Sequence, residues 1–199
     1  MKRRVAAWVV TGLLAGCAAT PPAVIGPPQL PGADWPAAWT VDGRMAINVG
    51  QQGGSGAFKW RQDGETSRLA VRGPLGVGAV DVTVDGEQLT VADGTGATVS
   101  GEQARSQVQS RLGADLPLNS LRYWMTARPD PAGESTVQDS TTPPLRVIEQ
   151  NGWRVAYDEF GRFDGRVAPT RLTATGANVR LKLVLDRWAV AGPPNTGSP

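Results

Sequence analysis

The one side chain that the sequence singles out for covalent chemistry is the thiol of Cys17, because the 199 residues contain a single cysteine. They contain no histidine. The commonest general base and metal ligand is therefore missing, and with it every Ser-His-Asp and Cys-His arrangement. Asp81 and Asp85 share one face of a predicted strand, but such acidic pairs are common on solvated surfaces. We predict no catalytic site, no metal site and no cofactor.

The residues that precede Cys17 indicate what happens to its thiol. Lys2-Arg3-Arg4 are followed by an apolar run from Val5 to Ala15, which is the pattern of a bacterial export signal. The run is shorter than the roughly 20 residues that a membrane-spanning helix needs. Leu14-Ala15-Gly16-Cys17 resembles the lipobox of bacterial lipoproteins, whose signal is removed before the cysteine and whose thiol is acylated. We predict a signal peptide over residues 1–16 and lipid attachment at Cys17; the alternative is an ordinary secreted protein with a stray cysteine.

Removal of this signal changes the charge of the chain. Without Lys2, Arg3 and Arg4, the basic residues number 17 against 18 acidic ones, so the formal charge moves from +2 to −1. A basic surface for nucleic acid is therefore not indicated. An exported chain with one cysteine cannot form an internal disulfide, so we expect a packed core to hold the fold.

Composition divides the remaining chain into three parts. Residues 17–38 are rich in proline, alanine and glycine, which predicts an extended tether. About 20 extended residues reach on the order of 60 Å, so the domain could move over a membrane while attached to it. Residues 39–190 are predicted to form one domain, and residues 191–199 an unstructured tail.

Apolar and polar side chains alternate with period two from Trp39 onward, which predicts β-strands. Asp63-Gly64, Asp85-Gly86 and Asn151-Gly152 mark tight turns between successive strands. The region from Gly133 to Pro144 is polar and contains prolines, and we predict a loop there. The strand pattern predicts a mainly β fold, a curved antiparallel sheet.

Two short helices are predicted in the middle of the chain. The first follows the capping-box pattern of Ser100 and Gln103 and ends at Gly113. The second runs from about Leu118 to Met125 and ends before the prolines that follow. We expect both helices to cover the apolar face of the sheet.

The side chains predicted to point toward these helices form a candidate apolar lining. They are Met45, Ile47, Phe58, Trp60, Leu69, Val71, Val80, Val82, Leu89, Trp153, Val155, Leu181 and Leu183 from the strands, with Trp124 and Met125 from the second helix. A curved sheet buries its inner face whether or not a ligand enters. The sequence therefore leaves open whether these residues form a solid core or a cavity that can be filled.

Several segments, taken in order, resemble the LolB family of outer-membrane lipoprotein receptors. They are Gly43-Arg44, Trp60, Arg72-Gly73-Pro74-Leu75-Gly76, residues 116–124, residues 150–157, residues 180–183 and Trp188, together with the lipobox. The resemblance implies an incomplete antiparallel barrel, a half-barrel, with a hydrophobic concave face covered by short helices. It does not extend to the segment from Thr126 to Pro144 or to the proline-rich tether.

The resemblance also implies a function and its partners. A receptor of this family accepts acylated lipoproteins from the periplasmic carrier LolA and inserts them into the inner leaflet of the outer membrane. On this basis we expect a monomer, lipid-anchored in the outer membrane and facing the periplasm. The loop of Pro74, Leu75 and Gly76 is expected to place a leucine in the membrane and help to release cargo. The alternatives are another acyl-binding or lipid-sensing lipoprotein of the same fold, and a structural lipoprotein with a solid core.

Overall fold

The computed structural model describes residues 35–73, 79–112 and 116–190, and these form one antiparallel sheet with two helices. The strands are β1 (Ala38–Val49), β2 (Gln52–Asp63), β3 (Thr66–Arg72), β4 (Val80–Asp85), β5 (Gln88–Asp93), β6 (Thr98–Ser100), β7 (Ser135–Asp139), β8 (Arg146–Gln150), β9 (Trp153–Phe163), β10 (Arg166–Gly176) and β11 (Val179–Val190). The helices are α1 (Gly101–Leu112) and α2 (Leu118–Trp124).

The first and last strands pair in the middle of the sheet. The strand order is β6-β5-β4-β3-β2-β1-β11-β10-β9-β8-β7, so each half is a meander of sequential neighbours. β1 and β11 join the halves along a register that runs from Trp39 opposite Val190 to Val49 opposite Val179. Because β6 and β7 lie at the two edges, the sheet stays open. This confirms the predicted half-barrel.

The period-two patterns set the two faces of the sheet as predicted. In β2, Phe58 and Trp60 are buried, whereas Lys59 and Arg61 are exposed. We call the side that carries the buried row the inner face. On this face, α2 packs against β1, β2 and β8–β11 in the main hydrophobic core. Val108 of α1 packs against β4 and β5 in a smaller cluster.

The prediction of a loop from Gly133 to Pro144 was wrong, because β7 lies within it. All five residues of β7 are exposed, so they show no apolar alternation that the sequence could reveal. β8 was also missed. Its pattern is broken by Gln150, a polar residue that is 3% exposed and hydrogen-bonded inside the fold.

Several predicted features lie outside the described residues. They are the signal peptide, Cys17, the loop of Pro74, Leu75 and Gly76, the helix end at Gly113, and the tail. Trp35, within the segment predicted as a tether, packs edge-on against Trp188 with ring centroids 5.4 Å apart.

Candidate functional site

The inner face of the sheet meets α2 around a small apolar void of about 30 Å³. Eight of the residues predicted as lining surround it: Met45, Phe58, Trp60, Leu69, Val71, Met125, Leu181 and Leu183. Leu116, Leu118 and Leu121, which were not among the predicted lining residues, complete the wall. Their signal was the spacing of Leu118 and Leu121 at i and i+3, which places both on the face of α2 toward the sheet.

The volume of this void decides what the present arrangement can hold. About 30 Å³ is the share of one water molecule in liquid water. A cavity of about 150 Å³ accommodates benzene, so a chain of roughly 15 methylenes needs on the order of 400 Å³. A long acyl chain therefore enters only if the helices separate from the sheet.

Two larger clefts adjoin the void. One, of about 240 Å³, shares Met45 and Val71 with it and extends over Ile47, Val49 and the glycine-rich start of β2. The other, of about 170 Å³, shares Leu116 and Leu118 with the void and runs between α1, α2 and Leu89. Open space therefore continues from the void toward the start of β2 on one side and between α1 and α2 on the other, and the combined volume is of the order that one acyl chain needs.

The remaining predicted residues lie elsewhere. Trp124 and Val155 are fully buried in the main core, and Val80 and Val82 belong to the smaller cluster under α1. Trp153 lines a separate open groove of about 890 Å³, bordered by polar side chains of β8, β9 and β10. The structure thus brings together eight of the predicted residues around the void and separates these five from it.

The C-terminal end of α2 is fixed to the sheet by buried hydrogen bonds. Gln150 accepts from Trp124 Nε1 at 3.1 Å and from the main chain of Asp130 at 2.9 Å, and it donates to the Asp130 carbonyl at 2.7 Å. The Tyr157 hydroxyl donates to the Trp124 carbonyl at 2.7 Å. Complete burial raises the pKa of Tyr157 well above its ordinary value, so this donor stays protonated.

The N-terminal end of α2, before the buried 2.7 Å hydrogen bond from Ser120 Oγ to Asp130 Oδ2, is held mainly by apolar packing. Its capping residue is Pro117, whose side chain makes no capping hydrogen bond. Leu118 is half-buried and lies between the two hydrophobic clusters. The contacts at this end of the helix are therefore the ones that an apolar ligand could replace with its own.

Among the described residues, acidic and other metal-ligating side chains form no cluster of three or more that could hold a metal ion. The described helices include none with the length and hydrophobicity to span a bilayer.

Comparison with known proteins assigns this architecture to a family. The family model described as "Outer membrane lipoprotein LolB" matches residues 37–188. The chain belongs to the LolB family. This confirms the resemblance on which the functional prediction was based, and it places the chain in a lipoprotein-trafficking family rather than in a family of known enzymes.

Curated relatives match over nearly the whole length of the chain. The outer-membrane lipoprotein LolB of a Marinomonas species is 26% identical over 182 residues, which are 90% of this chain and 94% of that protein. The LolB protein of Stutzerimonas stutzeri is 29% identical over 187 residues, which are 88% of this chain and 90% of that protein. These names support a role as an outer-membrane lipoprotein for this LolB-family chain.

A solved structure shares the fold at low sequence identity. A LolA superfamily protein from Nitrosomonas europaea superposes with a TM-score of 0.51 and 12% identity, covering 81% of this chain and 90% of that one. The half-barrel is therefore common to the LolB-family chain and to the LolA superfamily.

Proposed function

We propose that this protein is anchored in the outer membrane through an acylated Cys17 and faces the periplasm. In this proposal it accepts lipoproteins from the carrier LolA and inserts them into the inner leaflet. The observation that carries the proposal is the apolar void between the sheet and α2, which adjoins two larger clefts, one at the start of β2 and one between α1 and α2. LolB-family membership supports the choice of lipoproteins as cargo and of LolA as the carrier.

The physical need for such a site follows from the cost of exposing an acyl chain to water. At about 0.8 kcal/mol per methylene, a chain of roughly 15 methylenes costs about 12 kcal/mol to expose. An apolar site removes most of that cost during transfer. No bond is made or broken, so cargo moves from the carrier to the receptor and then to the bilayer by differences in affinity.

The hydrogen-bonding pattern of α2 supports a specific way of opening. The buried bonds from Gln150 and Tyr157 hold its C-terminal end to β8 and β9. The contacts of Leu116 and Leu118 at the other end are apolar, and an acyl chain can replace them with contacts of the same kind. We therefore assign the opening to the N-terminal end of α2, with its C-terminal end as the pivot.

The loop of Pro74, Leu75 and Gly76 is proposed to contact the bilayer. Burial of one leucine contributes only about 1.5–3 kcal/mol, which biases the approach to a membrane without anchoring the domain. The lipid on Cys17 supplies the anchor. In this proposal Leu75 sets how fast cargo is released rather than how tightly the receptor is held.

The test is a transfer assay with the full chain in liposomes of outer-membrane lipid composition, supplied with LolA loaded with a lipoprotein. We expect wild-type receptor to remove cargo from LolA and deliver it to the bilayer, and Leu75→Glu to slow delivery. Val137→Glu is the matched control, because Val137 is 43% exposed on β7 and its replacement adds the same charge elsewhere.

Two outcomes of this assay contradict the proposal in different ways. If wild-type receptor takes no cargo from LolA but binds fatty acids, the protein is an acyl-binding lipoprotein of another kind. If Leu75→Glu delivers cargo at the wild-type rate with its fold intact, the loop has no role in release. In cells, depletion of the protein should leave other lipoproteins mislocalised; normal sorting would reject the receptor role.

A further inference from the structure

The inner face of the sheet has a gap in its row of side chains at the start of β2. The inward row of this strand contains the buried residues Phe58, Trp60 and Gln62, and the alternation continues it to Gly56 and Gly54. In the register with β1, Gly56 lies opposite Met45 and Gly54 opposite Ile47. Two consecutive inward positions of β2 therefore lack side chains beside two apolar side chains of β1.

At Gly54 this gap is open space. A Cβ atom placed on Gly54 would have no other atom within 4 Å. By contrast, a Cβ on Gly43, an inward glycine of β1, would lie 2.9 Å from the ring of Phe58. Phe58 fills the space above Gly43, whereas the space above Gly54 is the 240 Å³ cleft, which Ser110 of α1 borders.

The cleft is continuous with the void under α2. Met45 and Val71 line both spaces, so they form the boundary between them. Methionine is unbranched and adapts its shape readily, and Met45 is only half-buried. A movement of this side chain would join the void to the cleft.

The cleft also opens at a particular end of the sheet. β3 ends at Arg72, which pairs with Ala57, and a Cβ on Gly56 would clash with the Arg72 carbonyl oxygen, so the close approach of the two strands requires glycine there. Gly73, the last described residue before the loop of Pro74, Leu75 and Gly76, therefore lies beside Gly56.

We infer that the end of the cargo acyl chain passes from the void over Met45 and lies across Gly54 in the cleft at the start of β2. This inference rests on the proposed function and adds to it the route of the chain. The apolar row of Met45, Ile47 and Val49 contacts the methylenes, and the missing side chain at Gly54 supplies the room. At the volume per carbon of a benzene-sized cavity, about 240 Å³ accommodates roughly nine or ten carbons.

The first experiment fills the cleft. Gly54→Phe places a ring in the open space without a backbone clash, and Ala57→Phe places the same ring on the exposed outer face of the same strand. In the liposome transfer assay with full-length protein, we expect Gly54→Phe to slow removal of cargo from LolA at least tenfold. Ala57→Phe should stay within twofold of wild type.

A second measurement uses the unaltered chain and does not depend on how a variant folds. Cargo lipoprotein whose palmitate carries a diazirine near its terminal carbon is mixed with wild-type receptor and irradiated. Trypsin cuts after Arg44 and Lys59, so one peptide contains Met45, Ile47 and both glycines. We expect the label in this peptide, placed by fragmentation between Met45 and Gly56.

Failure of the inference and failure of the proposed function give different results. If wild-type receptor accepts cargo, both phenylalanine variants do so equally, and the label lies only on α2 or on β11, the route is wrong and the receptor role stands. If wild-type receptor accepts no cargo at all, the proposed function fails and the inference fails with it.

Discussion

The hydroxyl of Tyr157 on β9 donates a 2.7 Å hydrogen bond to the main-chain carbonyl of Trp124, the last residue of α2. Both side chains are fully buried. The bond fixes the C-terminal end of the covering helix to the sheet, whereas Leu116 and Leu118 at the other end make apolar contacts. This difference is the basis for assigning a pivot and an opening end to α2.

Tyr157→Phe should remove this hydrogen bond at the C-terminal end of α2 with only a modest loss of folding stability. The Trp124 carbonyl also accepts a 3.0 Å bond from the amide of Ala127, so it keeps one partner after the substitution. We expect a loss of about 1 kcal/mol in the free energy of unfolding, measured with urea. Amide exchange should become faster in α2 and stay unchanged in β1, which lies across the sheet. Unchanged exchange in α2 would contradict the role of the bond.

The same tyrosine makes stability depend on alkaline pH. Burial raises the pKa of Tyr157 well above its ordinary value of 10.0, so the unfolded chain loses this proton at lower pH than the folded chain. The stabilisation is present below pH 10 and is lost as pH rises above it. The free energy of unfolding of the wild type should fall above pH 10 by up to about 1.4 kcal/mol per pH unit from this group. Tyr157→Phe should lack that component, and identical alkaline slopes would refute the assignment.

Gln150→Leu should be among the most destabilising single changes in the domain. The side chain is 3% exposed, and its substitution leaves the indole N–H of Trp124, the Asp130 amide and two carbonyls without this partner. With about 1–3 kcal/mol for each buried group left unsatisfied, we expect a loss of about 3–5 kcal/mol after partial relaxation. Gln138→Leu on exposed β7 is the control and should change stability by less than about 0.5 kcal/mol.

Two inward-facing glycines of the central strands should respond oppositely to alanine. A Cβ on Gly43 would lie 2.2 Å from the carbonyl oxygen of Val184, a backbone atom that cannot move aside cheaply. A Cβ on Gly54 would meet nothing within 4 Å. Gly43→Ala should therefore cost about 3 kcal/mol or more, whereas Gly54→Ala should be neutral or slightly stabilising. Equal urea midpoints for the two variants would show that the gap over β2 is absent in solution.

The hairpin of β7 and β8, at one edge of the sheet, should become less stable in acid. A hydrogen bond from Arg146 lowers the pKa of Asp139, and the Arg146 side chain is 13% exposed whereas that of Asp139 is 48% exposed. The stabilisation is present above the ordinary pKa of 3.8 and is lost as pH falls through the lowered value. Because Asp139 is half-exposed, Asp139→Asn should remove at most about 1 kcal/mol at pH 7 and flatten the acid limb of the stability curve.

The control for that prediction is Glu149→Gln. Glu149 lies 3.8 Å from Arg154, and both side chains are more than half exposed, at 56% and 53%. Such a pair contributes almost nothing in water. A larger acid effect from Glu149→Gln than from Asp139→Asn would mean that burial of Arg146 does not strengthen its ion pair.

The sequence by itself determined the local structure of most of the domain. Alternation along β1, β2 and β11 and helical spacing in α1 and α2 depend only on near neighbours, so Phe58, Trp60, Leu181 and Leu183 were assigned to the inner face correctly. β7 could not be found this way, because all of its side chains are exposed and only its pairing with β8 makes it a strand.

Only the tertiary structure decided how these elements form a site. The pairing of Met45 with Leu183 joins residues far apart in the chain, and no local pattern specifies it. Gln150 looks like a surface residue until Trp124 and Asp130 surround it. The sequence could place apolar side chains inside, but the space left between them, about 30 Å³ under α2 and about 240 Å³ over Gly54, depends on how every neighbouring side chain packs.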